Sequence, residues 1–255
     1  MKFTFGICTT SGNEERVSKI IASIKENNIP YADYEVIVVG GNYENSDSKN
    51  NILAVPFDES VRDGWITRKK NIITQKAKFE NIVYMHDYIV LEQGWYEAMK
   101  EYGEDWQVLM TRINNYDNSR YRDWTLCGGW KNNIFVEEDT CRNLLPYSER
   151  RLTGWMYISG AYWIAKKSFM LENPLNETLC WRQGEDVEWS FRVKEKTVFK
   201  LNENATARVS KSNKSAFFDL ANQQYLNKIY NLLLARSESL PSMKNNLARE
   251  KYLNE

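Results

Sequence analysis

The chain has 255 residues, 42% of them hydrophobic, and its 34 basic side chains balance 34 acidic ones. That length allows one large domain with a full core, and a zero net charge argues against a nucleic-acid partner, which demands a concentrated basic face. Cys8, Cys127, Cys141 and Cys180 lack Cys-X-X-Cys spacing, which speaks against zinc ribbons and thioredoxin-like chemistry. No leader is legible ahead of the first strand and no apolar run approaches the roughly 20 residues of a membrane helix, so a cytoplasmic location is expected.

Phe3 to Thr9, rich in aromatic and β-branched residues, predicts a buried strand that ends in the polar turn Thr10-Ser-Gly-Asn-Glu-Glu15. Val17, Ile20, Ile21 and Ile24 then recur at helical spacing until Asn27-Asn28-Ile29-Pro30 stops the helix. Tyr34 to Val39 predicts a second strand, closed by Gly40-Gly41, and Ile52 to Val55 a short third. Gly64 to Lys78 predicts a helix with Ile66, Ile73 and Ala77 on its apolar side, and Asn81 to Met85 a fourth strand. Strands and helices alternating in this way, with near-continuous apolar strands, indicate an α/β fold whose parallel sheet is covered on both faces.

After Trp95 the pattern changes. Trp95 to Tyr102 predicts a short helix and Gln107 to Ile113 a strand, followed by a polar, aromatic-rich stretch from Asn114 to about Arg151 that is expected to form an acceptor loop. Tyr157 to Ala165 predicts one strand with a central glycine, Val187 to Lys194 a helix and Thr197 to Leu201 a last strand. The tail from Ser215 predicts two amphipathic helical segments split near Pro241, with Phe217, Phe218, Leu220, Tyr225, Ile229, Leu232 and Leu233 at helical spacing. Such a face is expected to pack on the rest of the chain or on a twin subunit as a homodimer. The alternative is peripheral contact with the inner face of a membrane, helped by Lys211, Lys214 and Lys228.

Two acidic features carry the chemistry. Met85-His86-Asp87-Tyr88 lies where the fourth strand runs out, and a carboxylate at the carboxyl end of such a strand faces the crevice where α/β sheets bind ligands. His86 is the only histidine, so no cage of two histidines can form. A hard cation, Mg2+ or Mn2+, would take Asp87 and His86 together with diphosphate oxygens. Glu185-Asp186 follows Gly184 at a helix start, where acids are favoured by the dipole and where one of them can serve as a general base.

Taken in order, the motifs resemble a GT-A fold glycosyltransferase, most like the bacterial surface-glycan enzymes of family 2. Thr9-Thr10-Ser-Gly-Asn13-Glu14-Glu15 stands at that family's first-strand turn, and Gly64 with Lys70-Asn71 and Ala77 resembles its glycine and Arg-Asn helix. Met85-His86-Asp87-Tyr88 occupies the Asp-X-Asp place. Ser159-Gly160 with Lys166-Lys167-Ser-Phe169 resembles its glycine strand, and Gly184-Glu-Asp-Val-Glu-Trp-Ser-Phe-Arg192 its Glu-Asp helix. The resemblance runs from Phe3 to about Leu201. It implies a Rossmann-like mixed sheet with helices on both faces and a C-terminal helical tail. Residues 1–95 would be the nucleotide-sugar half, 96–210 the acceptor half of the same domain, and 211–255 the tail.

The resemblance further implies transfer of a hexose-type sugar from a UDP-sugar to a hydroxyl of a glycan or lipid-linked oligosaccharide. Asp186 would be the base of an inverting reaction and Glu185 its helper. Thr9, Thr10, Glu15, Lys70, Asn71, His86 and Asp87 would hold the donor, with Mn2+ or Mg2+ on Asp87 and His86. Trp155, Trp181 and Gly160 would meet the acceptor, since indoles stack on sugar C–H faces, and Trp130 is a third such indole. Three departures stand out: Tyr88 replaces the second acid of Asp-X-Asp, Gly40-Gly41-Asn42 replaces an Asp-rich turn, and no late histidine follows His86. They keep open a non-catalytic carbohydrate binder. A sugar nucleotidyltransferase is the other alternative, although Thr9-Thr-Ser-Gly-Asn13 lacks the basic residue its phosphate loop needs.

Overall fold

A computed structural model describes residues 1–42, 46–126, 143–152 and 155–211, together with 218–219, 227 and 231. Its main sheet is built from β1 (Phe3–Cys8), β2 (Tyr34–Val39), β3 (Ile52–Val55), β4 (Asn81–His86), β5 (Ile89–Leu91), β6 (Val108–Asn114), β10 (Tyr162–Lys166) and β11 (Phe199–Val209). Their order is β3-β2-β1-β4-β10-β6-β11-β5. The pairs among β1 to β4 are parallel, as the strand–helix alternation predicts. Beyond them the sheet is mixed: β10 runs antiparallel to β4 and β6, and β11 is parallel to β6 but antiparallel to β5.

The apolar strands are continuous because each serves two cores. Phe3, Phe5, Ile7, Val36, Val38, Val83 and Met85 point into one, with Val17, Ile20 and Ile24 of α1 (Glu14–Glu26) and Trp95 and Met99 of α3 (Trp95–Tyr102). Cys8, Ile37, Val39, Ile82 and Tyr84 point into the other, with Ile73 of α2 (Ile66–Lys76), Phe169 of α4 (Lys167–Glu172) and Trp189 of α5 (Glu185–Val193). That alternation is the two-residue period of a strand. Gly6 lets α2 lie close, since a β-carbon there would stand 2.3 Å from Ile73 Cγ2. Tyr84 stacks on Trp163 at 4.4 Å, and Trp163 meets Trp189 at 4.8 Å. The tryptophan-rich second half is thus largely core.

Three expectations change. The strand predicted over Tyr157–Ala165 is broken at Ser159–Gly160: its start is β9 (Met156–Tyr157), which pairs with β7 (Thr125–Leu126) in a second sheet, and only its end joins the main sheet as β10. The stretch after Asn114 is not irregular throughout, because β7 and β8 (Asn143–Leu144) pair and Trp124 is fully buried. Residues 127–142, with Trp130, Cys127 and Cys141, lie outside the described residues. In the tail, Phe218–Asp219 is not helical but forms β12, parallel to β8; most of the two predicted helices lies outside the described residues. No helix among the described residues is long and apolar enough to cross a membrane.

One irregularity sets the path of β11. Glu203, Asn204 and Ala205 of β11 have no partners in β6, where Thr111 pairs with Asn202 and Arg112 with Thr206. The Asn202 carboxamide ties this bulge together, accepting from Asn204 N (3.1 Å) and donating to Ala98 O (3.0 Å). Beyond it, β11 bends to pair with β5.

Candidate active site

The site gathers where β1, β4 and β10 meet. The Thr9 hydroxyl, just past β1, donates to Asp87 Oδ2 at 2.9 Å, and His86 N donates to Ala161 O at 2.9 Å. The next residue back, Gly160, donates its N–H to Asp186 Oδ2 at 3.0 Å. The aspartate that closes β4 and the acid pair that opens α5 therefore flank the single segment Gly160–Ala161. Asp87, Glu185 and Asp186 are all buried.

Basic side chains surround these acids. Lys70 of α2, only 1% exposed, donates to Gly160 O at 2.6 Å from the sheet face opposite α1. Lys69 donates to Thr9 O at 2.6 Å and pairs with Glu59, a contact that Gly40 permits: a β-carbon there would stand 2.5 Å from Thr9 O and 2.8 Å from Lys69 Nζ. Gly40 takes φ +94°, open to glycine at little cost. Arg122 forms an ion pair with Asp186, and Tyr157 stands near enough to feel both charges. Sequence reasoning missed Lys69, Arg122 and Tyr157. Lys211, which the sequence offers only for the alternative of membrane contact, holds its ammonium 3.6 Å from the centre of the Tyr88 ring.

This environment sets the protonation states. Burial, followed by the charges of Lys70, Arg122, Lys211 and Lys69, holds His86 well below the usual imidazole range, so its ring is neutral. Burial and then the Asp186 charge raise Glu185, against the pull of Lys70. A carboxylate that binds its proton more tightly than usual is suited to trading one.

His86 and Asp87 do not make a metal pair. His86 ends β4 on the face of Ile82 and Tyr84 and reaches Tyr88 OH at 3.2 Å, while Asp87 opens the turn before β5 and accepts from Thr9. His86 Nε2 is buried without a hydrogen-bond partner. Among the described residues no three His, Cys, Asp or Glu side chains converge as a metal site. Where the fold's second acid would stand there is Tyr88 with an ammonium over it, and that charge repels a divalent ion. The side chains present therefore do not fit Mn2+ or Mg2+.

The other expected residues divide. Thr9, Lys70, Asp87, Gly160, Glu185 and Asp186 come together. Thr10 is exposed and accepts from Asn13, and Glu15 pairs with Lys19 on the open face of α1. Asn71 turns from Lys70 towards the loop before α5, where it bonds Leu175 and Glu177. Trp155, expected to stack on the acceptor, is 1% exposed and packs in the core, so it offers no ring face. Trp181 is 52% exposed, ahead of Gly184 and α5, with its backbone N–H on Gly64 O at 2.8 Å.

No protein-family model and no curated protein matches the sequence. Solved structures do. GalNAc-T7 with UDP, GalNAc and Mn2+ superposes with a TM-score of 0.55 at 11% identity, over 82% of this chain and 44% of that one. S. aureus TarS does so at 0.53 and 13% identity over 98% of this chain and 41% of that one, and its fragment 1–349 at 0.52 and 13% over 92% and 65%. The fold is GT-A. At this identity the likeness establishes the GT-A architecture alone, and the chain spans less than two thirds of each of these relatives.

Proposed function

We propose that this GT-A protein is a glycosyltransferase that moves a hexose-type sugar from a UDP-sugar to a hydroxyl of a glycan or lipid-linked acceptor, with inversion at the anomeric carbon. The carrying observation is the convergence of Asp87 and the Glu185–Asp186 pair on Gly160–Ala161, at the carboxyl ends of β1 and β4 where such sheets take ligands. The UDP and GalNAc bound by GalNAc-T7 support the choice of donor.

In this reading residues 1–95 bind the nucleotide sugar and 96–210 the acceptor. Gly160 N–H and Arg122 fix the direction of the Asp186 carboxylate, which takes the proton of the acceptor hydroxyl. The freed oxygen attacks the anomeric carbon, the bond from that carbon to the diphosphate oxygen breaks, and its electron pair leaves with UDP. Negative charge that grows on the leaving group needs a fixed cation nearby, a large part of the catalysis in such sites. Trp181 offers an indole face to a sugar ring.

Thermal shift with UDP-, GDP-, CMP- and dTDP-sugars, followed by donor turnover with and without acceptor sugars, tests this. UDP-hexose is expected to give the largest shift and to be consumed. A protein that neither shifts with any donor nor consumes one is no transferase. Tyr88 in the place of an acid favours a second reading, a carbohydrate-binding relative without turnover, and sugar binding with an inert donor would establish it.

A further inference from the structure

We propose that the Lys211 ammonium, seated on the Tyr88 ring, is the cation that binds the donor diphosphate, standing where an acid at position 88 would otherwise hold a metal. The inference deepens the transferase reading and rests on it.

Lys211 is delivered by backbone rather than by a loose side chain. Val209 pairs with Ile89, and Ser210 donates both its N–H (2.8 Å) and its hydroxyl (3.1 Å) to Tyr88 O. The next residue must then stand beside Tyr88. At 3.6 Å from the ring centre, the ammonium lies within the range where an aromatic face attracts a cation.

Of the four cations around His86, three are already engaged: Lys69 by Glu59 and Thr9 O, Lys70 by Gly160 O, and Arg122 by Asp186. Lys211 has no ion pair among the described residues. Asp87 is the acid it feels, and that carboxylate accepts from Thr9. Burial draws Lys211 below the usual lysine range, against the pull of Asp87. A partly desolvated ammonium with a π-face beneath it and no oxygen partner among the described residues gains most from an arriving anion. It also leans over the residue that follows Asp87, the side chain expected to face the donor.

The test is calorimetric titration of the whole chain with UDP, GDP, CDP and dTDP, in EDTA and in Mn2+. Wild-type protein is expected to bind UDP in EDTA within about twofold of its affinity in Mn2+. Lys211→Met keeps the stem over Tyr88 and drops the charge; it should weaken UDP about tenfold or more while uridine binds as before. Lys211→Arg should recover most of the loss, which a folding defect would not do. A Lys211→Met protein with wild-type UDP affinity, or wild-type binding that collapses in EDTA, overturns the role of Lys211 and leaves the transferase reading standing. If none of the four nucleotides binds under either condition, the transferase reading and this inference fall together.

Discussion

Gly160 and Asp186 approach so closely that no side chain fits between them. Asp186 Oδ2 accepts from Gly160 N at 3.0 Å, and a β-carbon on Gly160 would stand 2.8 Å from that same oxygen and 3.2 Å from Glu185 Oε1. Gly160→Ala is expected to push the acid pair aside, costing about 1–3 kcal/mol of stability as overpacking does. Turnover should fall further than the melting temperature accounts for. An alanine variant with wild-type kcat would mean that the acid pair tolerates displacement and is not the reacting group.

Asp186→Asn keeps the size of the side chain and removes its basicity. Turnover should drop by roughly 10²–10⁴-fold, the usual contribution of a general base. The thermal shift given by the donor should survive. Arg122 loses a charged partner, and the variant should be less stable by about 1–3 kcal/mol. Sugar transfer at the wild-type rate would refute the assignment of the base.

His86, the only histidine, can be followed by proton NMR without assignment. Its ring should titrate well below the ordinary 6.5. The folded chain then binds fewer protons than the unfolded one between those two values, so this stability is present above pH 6.5 and lost as pH falls through the window. A midpoint near 6.5 would contradict the burial.

Glu185 has the opposite sign. Its folded value lies above the ordinary carboxylate 4.5, so the stability it contributes is full below 4.5 and is lost as pH rises through the folded value. Glu185→Gln should therefore gain stability over wild type near neutrality and lose that advantage in acid. Melting curves across pH decide it: parallel curves would count against a raised Glu185.

Trp181→Ala removes an exposed ring ahead of α5 and should leave the melting temperature nearly unchanged. Acceptor KM should rise about three- to tenfold if the indole stacks on sugar, the scale of one aromatic contact. A lowered kcat with unchanged KM would place the residue elsewhere in the reaction.

β1, β2 and β4 were legible because both faces of each are buried, which leaves an unbroken apolar run in the chain, and the edge strand β3 was legible from its four apolar residues although Leu53 is exposed. Asp87 and the α5 acids were legible because strand ends and helix starts expose polar residues in recognisable places. Arg122 was not: it sits in a polar stretch without periodicity and meets Asp186 from 64 positions away. The aromatic count around Trp155 could not separate core rings from exposed ones, since both carry the same composition. The break at Gly160 escaped notice because one glycine within an apolar run resembles a pause in a strand. Lys211 looked like part of the tail because its place depends on strand pairing with residues far earlier in the chain.

That pairing makes Asn202 answerable for chemistry it never touches. Three extra residues, gathered by the Asn202 carboxamide, fix how far β11 advances along β5. A change of length that is not taken up within the bulge would slip the pairing of Val209 with Ile89 and carry Lys211 away from the Tyr88 ring. A slip of that pairing would thus disturb the seat of Lys211 as directly as a substitution of the lysine itself.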